Sequence, residues 1–188
     1  MLDTRKNNCY VITGGPGVGK TSLLQELAKY KCKVVPEDAR EIIKHEIDTG
    51  GDGLPWKNKI RYTYLMLDAA VRSYEAIPQN DSGIYFFDRG ILDAICYATM
   101  IGLDVSTEME SICRNFLYNK KVFILPPWEE IYHADSERKQ TWKEAAFTFR
   151  MMKATYIDYG YEIIEVPKDT VGNRAKFILH SINSHLNS

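Results

Sequence analysis

Residues 14–21 read GGPGVGKT and follow directly on the short apolar run Cys9–Thr13. This octapeptide matches the phosphate-loop pattern G-x-x-x-x-G-K-[ST], which requires a strand before it and a helix after it. The run before it is short and β-branched, which predicts a buried strand. The residues after it place Leu23, Leu24 and Leu27 on one face of a helix. The stretch therefore predicts a strand–loop–helix unit that binds a nucleotide phosphate.

The residue types in this loop suit the binding of a triphosphate. Glycines let backbone N–H groups converge on an anion, and the helix N-terminus adds partial positive charge. Lys20 is placed to reach the β- and γ-phosphates, and the Thr21 hydroxyl to bind Mg²⁺. The alternative is a glycine-rich turn that binds nothing. The predicted nucleotide-binding residues are Gly15, Pro16, Gly17, Val18, Gly19, Lys20 and Thr21.

Four further apolar runs alternate with helical patterns along the chain. They are residues 33–35, 83–87, 121–125 and 161–166. Short apolar strands alternating with helices predict an α/β fold with a parallel sheet covered on both faces. A length of 188 residues fits one domain, so we predict a single P-loop domain over residues 1–188. Ligands of such folds bind beyond the carboxyl ends of the strands, where the motifs below all fall.

The connection between the second and third runs predicts two helices and a loop. One helix begins near Pro36 and has Ile42, Ile43 and Ile47 as its apolar stripe, and a long one runs from residue 56 to residue 77. Between them, residues 49–55 consist of turn formers and predict a flexible loop.

Asp88 and Arg89 follow the strongly hydrophobic run at residues 83–87. A P-loop fold places an acidic group that organises Mg²⁺ at the end of such a strand, which predicts this role for Asp88. Arg89 is predicted to bind an anionic or hydroxylated acceptor. The alternative for Asp88 is an N-cap, because a helix follows.

Glu37 and Asp38 follow the second strand and are predicted to face the same crevice. Phosphoryl transfer to a hydroxyl needs a carboxylate that orients the hydroxyl or accepts its proton, and we assign this role to Glu37 ahead of Asp38. Arg40 lies nearby in the sequence and is predicted to fix a substrate group. The alternative is helix capping with a surface ion pair, which contributes little energy.

Two segments near the later strands carry weaker signals. Residues 128–141 are polar and charged, and predict a lid that brings an arginine to the phosphates: Arg138 first, then Lys139 and Arg150. A solvated helix face is the alternative. Pro167 follows the fifth strand and is predicted to border the nucleotide base, with a simple helix start as the alternative.

Composition excludes several classes of protein. The chain has 24 basic and 25 acidic residues and a net charge of -1, which argues against a generic nucleic-acid binder. No apolar run reaches the ~20 residues that span a bilayer, and the N-terminus lacks a signal-peptide core, so we expect a cytoplasmic protein without a transmembrane segment. The four scattered cysteines predict reduced, mostly buried thiols rather than a disulfide scaffold or a zinc site. A homodimer is the oligomeric state we allow for.

Taken as a whole, the sequence resembles the P-loop family of NadR/Ttd14-like AAA-domain proteins. The matching stretches are residues 12–21, 34–41, 87–90, 123–128 and 160–167. The resemblance implies the nucleoside and nucleotide kinase branch of P-loop proteins, with a five-stranded sheet in the order 2-3-1-4-5.

By the same resemblance, Asp88-Arg89 matches the Asp/Glu-Arg motif of these kinases and Glu37 their acceptor-side carboxylate, while Arg138 falls where their lid arginine lies.

Two functions follow as hypotheses. The first is a kinase that uses ATP and Mg²⁺ to phosphorylate a small nucleoside- or nucleotide-like acceptor, with Lys20, Glu37, Asp88, Arg89 and Arg138 as catalytic residues. The second is a regulatory NTP-binding module or slow ATPase that acts on a protein or lipid partner. ATP is favoured over GTP, because residues 119–122 lack the aspartate of Asn-Lys-x-Asp and precede their strand.

Overall fold

The computed structural model describes residues 5–132 and 141–183. Five parallel strands form one sheet in the order β2-β3-β1-β4-β5, which confirms the predicted α/β fold and the strand order implied by the resemblance. The central strands are buried and the edge strands β2 and β5 are partly exposed. The strands are β1 (Cys9–Thr13), β2 (Lys33–Val35), β3 (Tyr85–Asp88), β4 (Lys121–Ile124) and β5 (Glu162–Glu165).

Helices cover both faces of this sheet. Alternate residues of a strand point to opposite faces, so Ile12 packs beneath α1 and α8 while its neighbour Val11 packs beneath α3, α4 and α7. The helices of the described residues are α1 (Lys20–Ala28), α2 (Ala39–Asp48), α3 (Lys59–Glu75), α4 (Ile91–Met100), α5 (Thr107–Asn115), α6 (Glu129–Tyr132), α7 (Trp142–Asp158) and α8 (Val171–Asn183).

Side-chain caps set where several helices begin. The Asn58 side chain accepts from the backbone N–H of Arg61, so α3 starts at Lys59 rather than at Trp56, which lies in a turn and is 66% exposed. Thr141 and Glu144 form a capping box at the start of α7. The Asn58 cap thus makes the predicted long helix start later, while the order of the helices is unchanged.

The segment predicted to be a flexible loop is tied to a buried carboxylate. Glu46, 3% exposed, accepts from the backbone N–H of Gly53 at 2.7 Å, and its Oε1 lies 3.5 Å from Arg61 Nη2. A side chain on Gly51 would collide with the same carboxylate. The predicted loop is confirmed, because no helix or strand covers residues 49–55, but turn-forming composition does not show that an acidic side chain folds back onto it.

The predicted apolar stripe of α2 is wrong in part. Ile42 and Ile43 are half-buried, whereas Ile47 is 57% exposed, and the buried residue of this helix is Glu46. The anchoring of the loop turns α2 so that Glu46 faces inward and Ile47 outward.

Two further features are the state of the cysteines and the character of the helices. All four cysteines are free and buried, which confirms the prediction of reduced thiols. Within the described ranges, none of the helices has the length and apolar character that crossing a bilayer requires.

Candidate functional site

The phosphate loop, residues 14–21, depends on glycine at three positions. Gly14, Gly17 and Gly19 have φ of 144°, 71° and 84°, a region that residues with a Cβ rarely adopt. A Cβ on Gly14 would also lie 2.8 Å from the backbone oxygen of Leu125, which follows β4. The glycines therefore match a backbone geometry that residues with a Cβ adopt only with strain.

Lys20 begins α1 and lies inside the loop. It is 7% exposed, and its Nζ donates to the carbonyl oxygens of Gly14 and Gly15, both at 2.9 Å. The pKa of Lys20 is lowered to about 8, mainly by burial and to a smaller extent by the positive charge of Arg89. The two carbonyl oxygens accept hydrogen bonds from the ammonium group. From this position the ammonium group can turn to donate to a phosphate bound in the loop.

Asp88 ends β3, in register with Ile12 of the neighbouring β1. Its Oδ1 is buried and has no hydrogen-bond partner among the described residues. Burial raises the pKa of this carboxyl, and the positive charge of Lys20 opposes the shift. The N-cap alternative is wrong, because Gly90 is the N-cap of α4.

The residues around Asp88 fit a divalent cation. Asp88 and the exposed Thr21 line one hollow together with Leu24 and Pro36. A carboxylate and a hydroxyl are oxygen ligands of the kind that Mg²⁺ takes when it also binds phosphates. A buried carboxylate oxygen without a partner carries a cost that a bound cation would remove.

Arg89 joins the end of β3 to the end of β2. Its Nε lies 2.6 Å from Glu37 Oε1, and its Nη1 lies 3.3 Å from Asp93 Oδ1. The backbone is left-handed here, with φ of 74°, while the Arg89 N–H donates to the Ile12 carbonyl at 3.0 Å. The ion pairs and the strained backbone together fix the guanidinium group beside Asp88.

Asp93, on α4, is the main polar residue that the sequence analysis missed. It is 8% exposed and accepts from Thr13 Oγ1 at 2.5 Å, Tyr156 OH at 2.7 Å and Gly90 N at 2.8 Å. It thereby links β1, the start of α4 and α7 to Arg89. Asp93 follows Arg89 by four residues at the start of a predicted helix, and this i,i+4 spacing could have indicated an ion pair between them.

The predicted acceptor-side carboxylates share one cleft. We call it the α2–α3 cleft; its volume, including space open to solvent, is about 460 Å³. Asp38 accepts from Ser73 Oγ at 2.9 Å and makes no side-chain cap to α2. Asp38 stands at the N-cap position of α2, but its side chain makes no capping hydrogen bond there, so only side-chain capping is wrong for this residue. The lining includes Glu37, Asp38, Ile42, Met66, Ala70, Ser73, Phe87, Asp88, Arg89 and Asp93.

The remaining predicted residues lie apart from this cleft or outside the structure described. Arg40 is exposed and is not among the described residues that line the cleft, because Ala39 and Ile42 take the inward side of the first turn of α2. Arg150 is exposed on α7. Arg138 and Lys139 lie outside the described residues, as does most of the predicted lid.

The segment after β5 starts a helix. Pro167 is exposed, and Thr170 Oγ1 accepts from the backbone N–H of Asn173 at 3.3 Å, in the manner of an N-cap for α8. The helix-start alternative is confirmed for this segment, and contact between Pro167 and a nucleotide base stays a prediction.

Arg174, on α8, supports the phosphate loop from outside and was also missed. It is 5% exposed, and its Nη2 donates to the Val18 carbonyl at 3.1 Å. A Cβ on Gly19 would lie 2.9 Å from its Nη1. Its Nε is buried without a hydrogen-bond partner in the described part of the chain, and burial lowers its pKa. A buried cation therefore packs directly against the loop.

Comparison with solved structures gives the class of fold. Deoxyadenosine kinase from M. mycoides, with the products dCMP and dCDP bound, has a TM-score of 0.61 at 17% identity over 94% of this chain and 99% of that chain. The NadR protein in complex with NR has a TM-score of 0.67 at 20% identity over 96% of this chain, which spans only 52% of the NadR chain. Shikimate kinase from Acinetobacter baumannii, in complex with shikimate, has a TM-score of 0.55 at 16% identity over 94% and 93% of the two chains.

Comparison with sequences gives the family. No curated protein matches the chain at a significant level. The profile of a family described as an AAA domain matches residues 9–174, which include the phosphate loop, Glu37, Asp88 and Arg89. This confirms the resemblance seen in the sequence. The chain therefore belongs to this AAA domain family and has the fold of the P-loop kinases.

Proposed function

We propose that this chain binds Mg-ATP and transfers the γ-phosphoryl group to a hydroxyl of a small nucleoside- or nucleotide-like acceptor. The position of Asp88 carries the proposal. This residue lines both the hollow beside Thr21 and the α2–α3 cleft, so a donor and an acceptor would meet at its carboxylate. Its buried oxygen Oδ1, which has no hydrogen-bond partner within residues 5–132 and 141–183, supports a role in cation binding.

The donor side consists of the phosphate loop and its two functional side chains. When ATP binds, the Lys20 ammonium exchanges the carbonyl oxygens of Gly14 and Gly15 for phosphate oxygens. Thr21 and Asp88 would hold Mg²⁺, which when bound neutralises phosphate charge. The backbone N–H groups of the loop and the N-terminus of α1 add positive potential without any side-chain rearrangement.

The acceptor side supplies a base. Glu37 accepts the hydroxyl proton as the hydroxyl oxygen forms a bond to the γ-phosphorus, and the bond between that phosphorus and the β–γ bridging oxygen breaks to release ADP. The proton then passes from Glu37 to solvent. Arg89, 2.6 Å from Glu37 Oε1, fixes the direction of this carboxylate.

A panel of nucleosides and nucleotides tests the proposal. Purified protein is incubated with Mg-ATP and each acceptor, and ADP and phosphorylated acceptor are measured together. We expect equal amounts of both with at least one acceptor, and we expect Glu37→Gln to reduce that rate about 10²–10⁴-fold, the usual contribution of a general base. Glu41→Gln removes the same charge from an exposed site on α2 and serves as the matched control.

Phosphate release that stays slow and unchanged with every acceptor would contradict the kinase proposal. It would favour the alternative of a regulatory NTPase acting on a protein or lipid partner. The same assay with GTP in place of ATP measures whether the protein prefers adenine or guanine in the phosphate donor.

A further inference from the structure

The charges that line the α2–α3 cleft do not balance. Lys20 and Asp88 belong to the donor side in the proposed function. The charged side chains left on the acceptor side, among the described residues, are Glu37, Asp38, Asp93 and Arg89. Three carboxylates thus face one guanidinium group, and the cleft has two negative charges in excess.

Arg89 offers an incoming anion little compensation. Its Nε is engaged by Glu37 at 2.6 Å and its Nη1 by Asp93 at 3.3 Å, and its side chain is 22% exposed. These two carboxylates already offset the charge of the guanidinium group. A phosphate or carboxylate that reached its remaining N–H donors would lie beside Glu37 and Asp93 as well, and like charges in one site repel.

The other contacts of the cleft suit hydroxyl groups and a ring. Ionised Glu37 and Asp38 accept hydrogen bonds and cannot donate them, so they pair with hydroxyl and amine donors rather than with an anion. Ile42, Met66 and Phe87 supply an apolar wall against which a planar ring can pack.

We infer that the acceptor has no negatively charged group and is a hydroxylated ring compound of the nucleoside class, neutral or positively charged, rather than a nucleotide or a carboxylate. The inference rests on the proposed function and deepens it. A nucleoside monophosphate adds up to two negative charges to a cleft already in negative excess, and like charges in such a site repel strongly.

Matched acceptor pairs test this inference by binding, without requiring turnover. The full chain is saturated with Mg²⁺ and the β,γ-imido analogue of ATP, which occupies the donor site. Calorimetry then measures the Kd of a nucleoside and of its own 5′-monophosphate, for adenine, cytosine and thymine pairs. We expect every nucleoside that binds to do so at least about 100-fold more tightly than its monophosphate.

One variant links the selectivity to the cleft. Asp38→Asn removes one charge while an amide oxygen can still accept from Ser73, and we expect it to narrow the nucleoside-to-monophosphate ratio about tenfold. Glu41→Gln, which removes a charge outside the cleft, leaves the ratio unchanged. Equal narrowing by both variants would contradict a local origin for the selectivity.

The outcomes separate this inference from the proposed function. A monophosphate that binds as tightly as its nucleoside overturns the charge inference and leaves the kinase proposal intact. Binding of the ATP analogue without binding of either member of any pair overturns the nucleoside class and the kinase proposal together. Failure to bind the analogue overturns the donor site itself.

Discussion

The hydrogen bond from Tyr156 to Asp93 offers a direct test of the buried network beneath the site. Tyr156 is fully buried, and its hydroxyl lies 2.7 Å from Asp93 Oδ2. Tyr156→Phe removes one oxygen atom and keeps the ring, so no large cavity forms. A hydrogen bond to a charged group contributes about 1.5–3 kcal/mol, and because Thr13, Gly90 and Arg89 still face Asp93 we expect a loss of about 1.5–2 kcal/mol.

A tyrosine at the C-terminal end of the same helix provides a matched control for Tyr156. Tyr159 directly follows Asp158, the last residue of α7, and its hydroxyl donates to Glu110 Oε1 at the same distance of 2.7 Å. Both residues are partly exposed, and the Glu110 side chain is 37% exposed. Tyr159→Phe deletes the same atom and the same kind of bond at the surface. Solvent replaces most of what is lost there, so we expect a cost below about 1 kcal/mol.

Thermal and denaturant unfolding, both followed by circular dichroism, measure the stability of the two variants. For a chain of this size, 1 kcal/mol shifts Tm by about 2–4 °C, so Tyr156→Phe should lower Tm by about 3–8 °C. The two variants should have the same m-value as the parent chain. Equal losses for Tyr156→Phe and Tyr159→Phe, or no loss for the first, would refute the view that burial of Asp93 gives this bond its strength.

Four further predictions concern the donor site. Lys20→Ala should abolish the calorimetric heat of Mg-ATP binding while the circular dichroism spectrum is kept; an unchanged Kd would contradict the role of this ammonium. Since phosphate binds the protonated form of Lys20, whose pKa is about 8, ATP affinity should be constant below that pH and fall up to tenfold per pH unit above it, and a flat profile from pH 7 to 10 would rule this out. Asp88→Asn should lower turnover more than ATP affinity, and a larger loss of affinity in calorimetry would contradict its assignment to Mg²⁺. Arg174→Met should raise the Kd for Mg-ATP about tenfold, with Arg174→Lys intermediate, because it releases the Val18 carbonyl; a fall in Tm with unchanged Kd would make this residue purely structural.

Local patterns were enough to predict the strands and the phosphate loop. β1 and β2 match their predicted bounds, and the other three strands differ from theirs by at most two residues at either end. A buried parallel strand is a continuous apolar run, and the loop has glycines at fixed offsets, so both signals lie within a few neighbouring residues. The positions of Glu37 and Asp88 followed, because parallel strands end at one edge of the sheet.

The residues that the sequence analysis missed depend on distant parts of the chain. Asp93 contacts Thr13 across 80 positions, and Arg174 contacts Val18 across 156. A single aspartate or arginine on a helix is normally solvated, and nothing in its spacing reveals a partner so far away. Tertiary packing alone determines that these two side chains are buried.

The misplaced side chains have a related cause. Arg40 is close to Glu37 in sequence, yet it lies about 100° around α2 from Ala39, which lines the cleft, so contact between Arg40 and a substrate stays a prediction. Ile47 was assigned to the core because of its periodicity, but the Glu46 carboxylate binds the following loop and faces inward instead. Rotation of a helix about its own axis is set by such contacts, which the pattern does not contain.

The residues that line the α2–α3 cleft come from two kinds of segment, the ends of strands and the helices between them. Glu37, Asp88 and Arg89 sit at the ends of strands, whereas Ile42, Met66 and Ser73 belong to the helical pair between β2 and β3. Substitutions in that pair can reshape the pocket wall while the strand ends stay fixed by the sheet. Under the proposed function, a change of acceptor would therefore need substitutions in this short stretch of chain only, while the residues assigned to the reaction stay as they are.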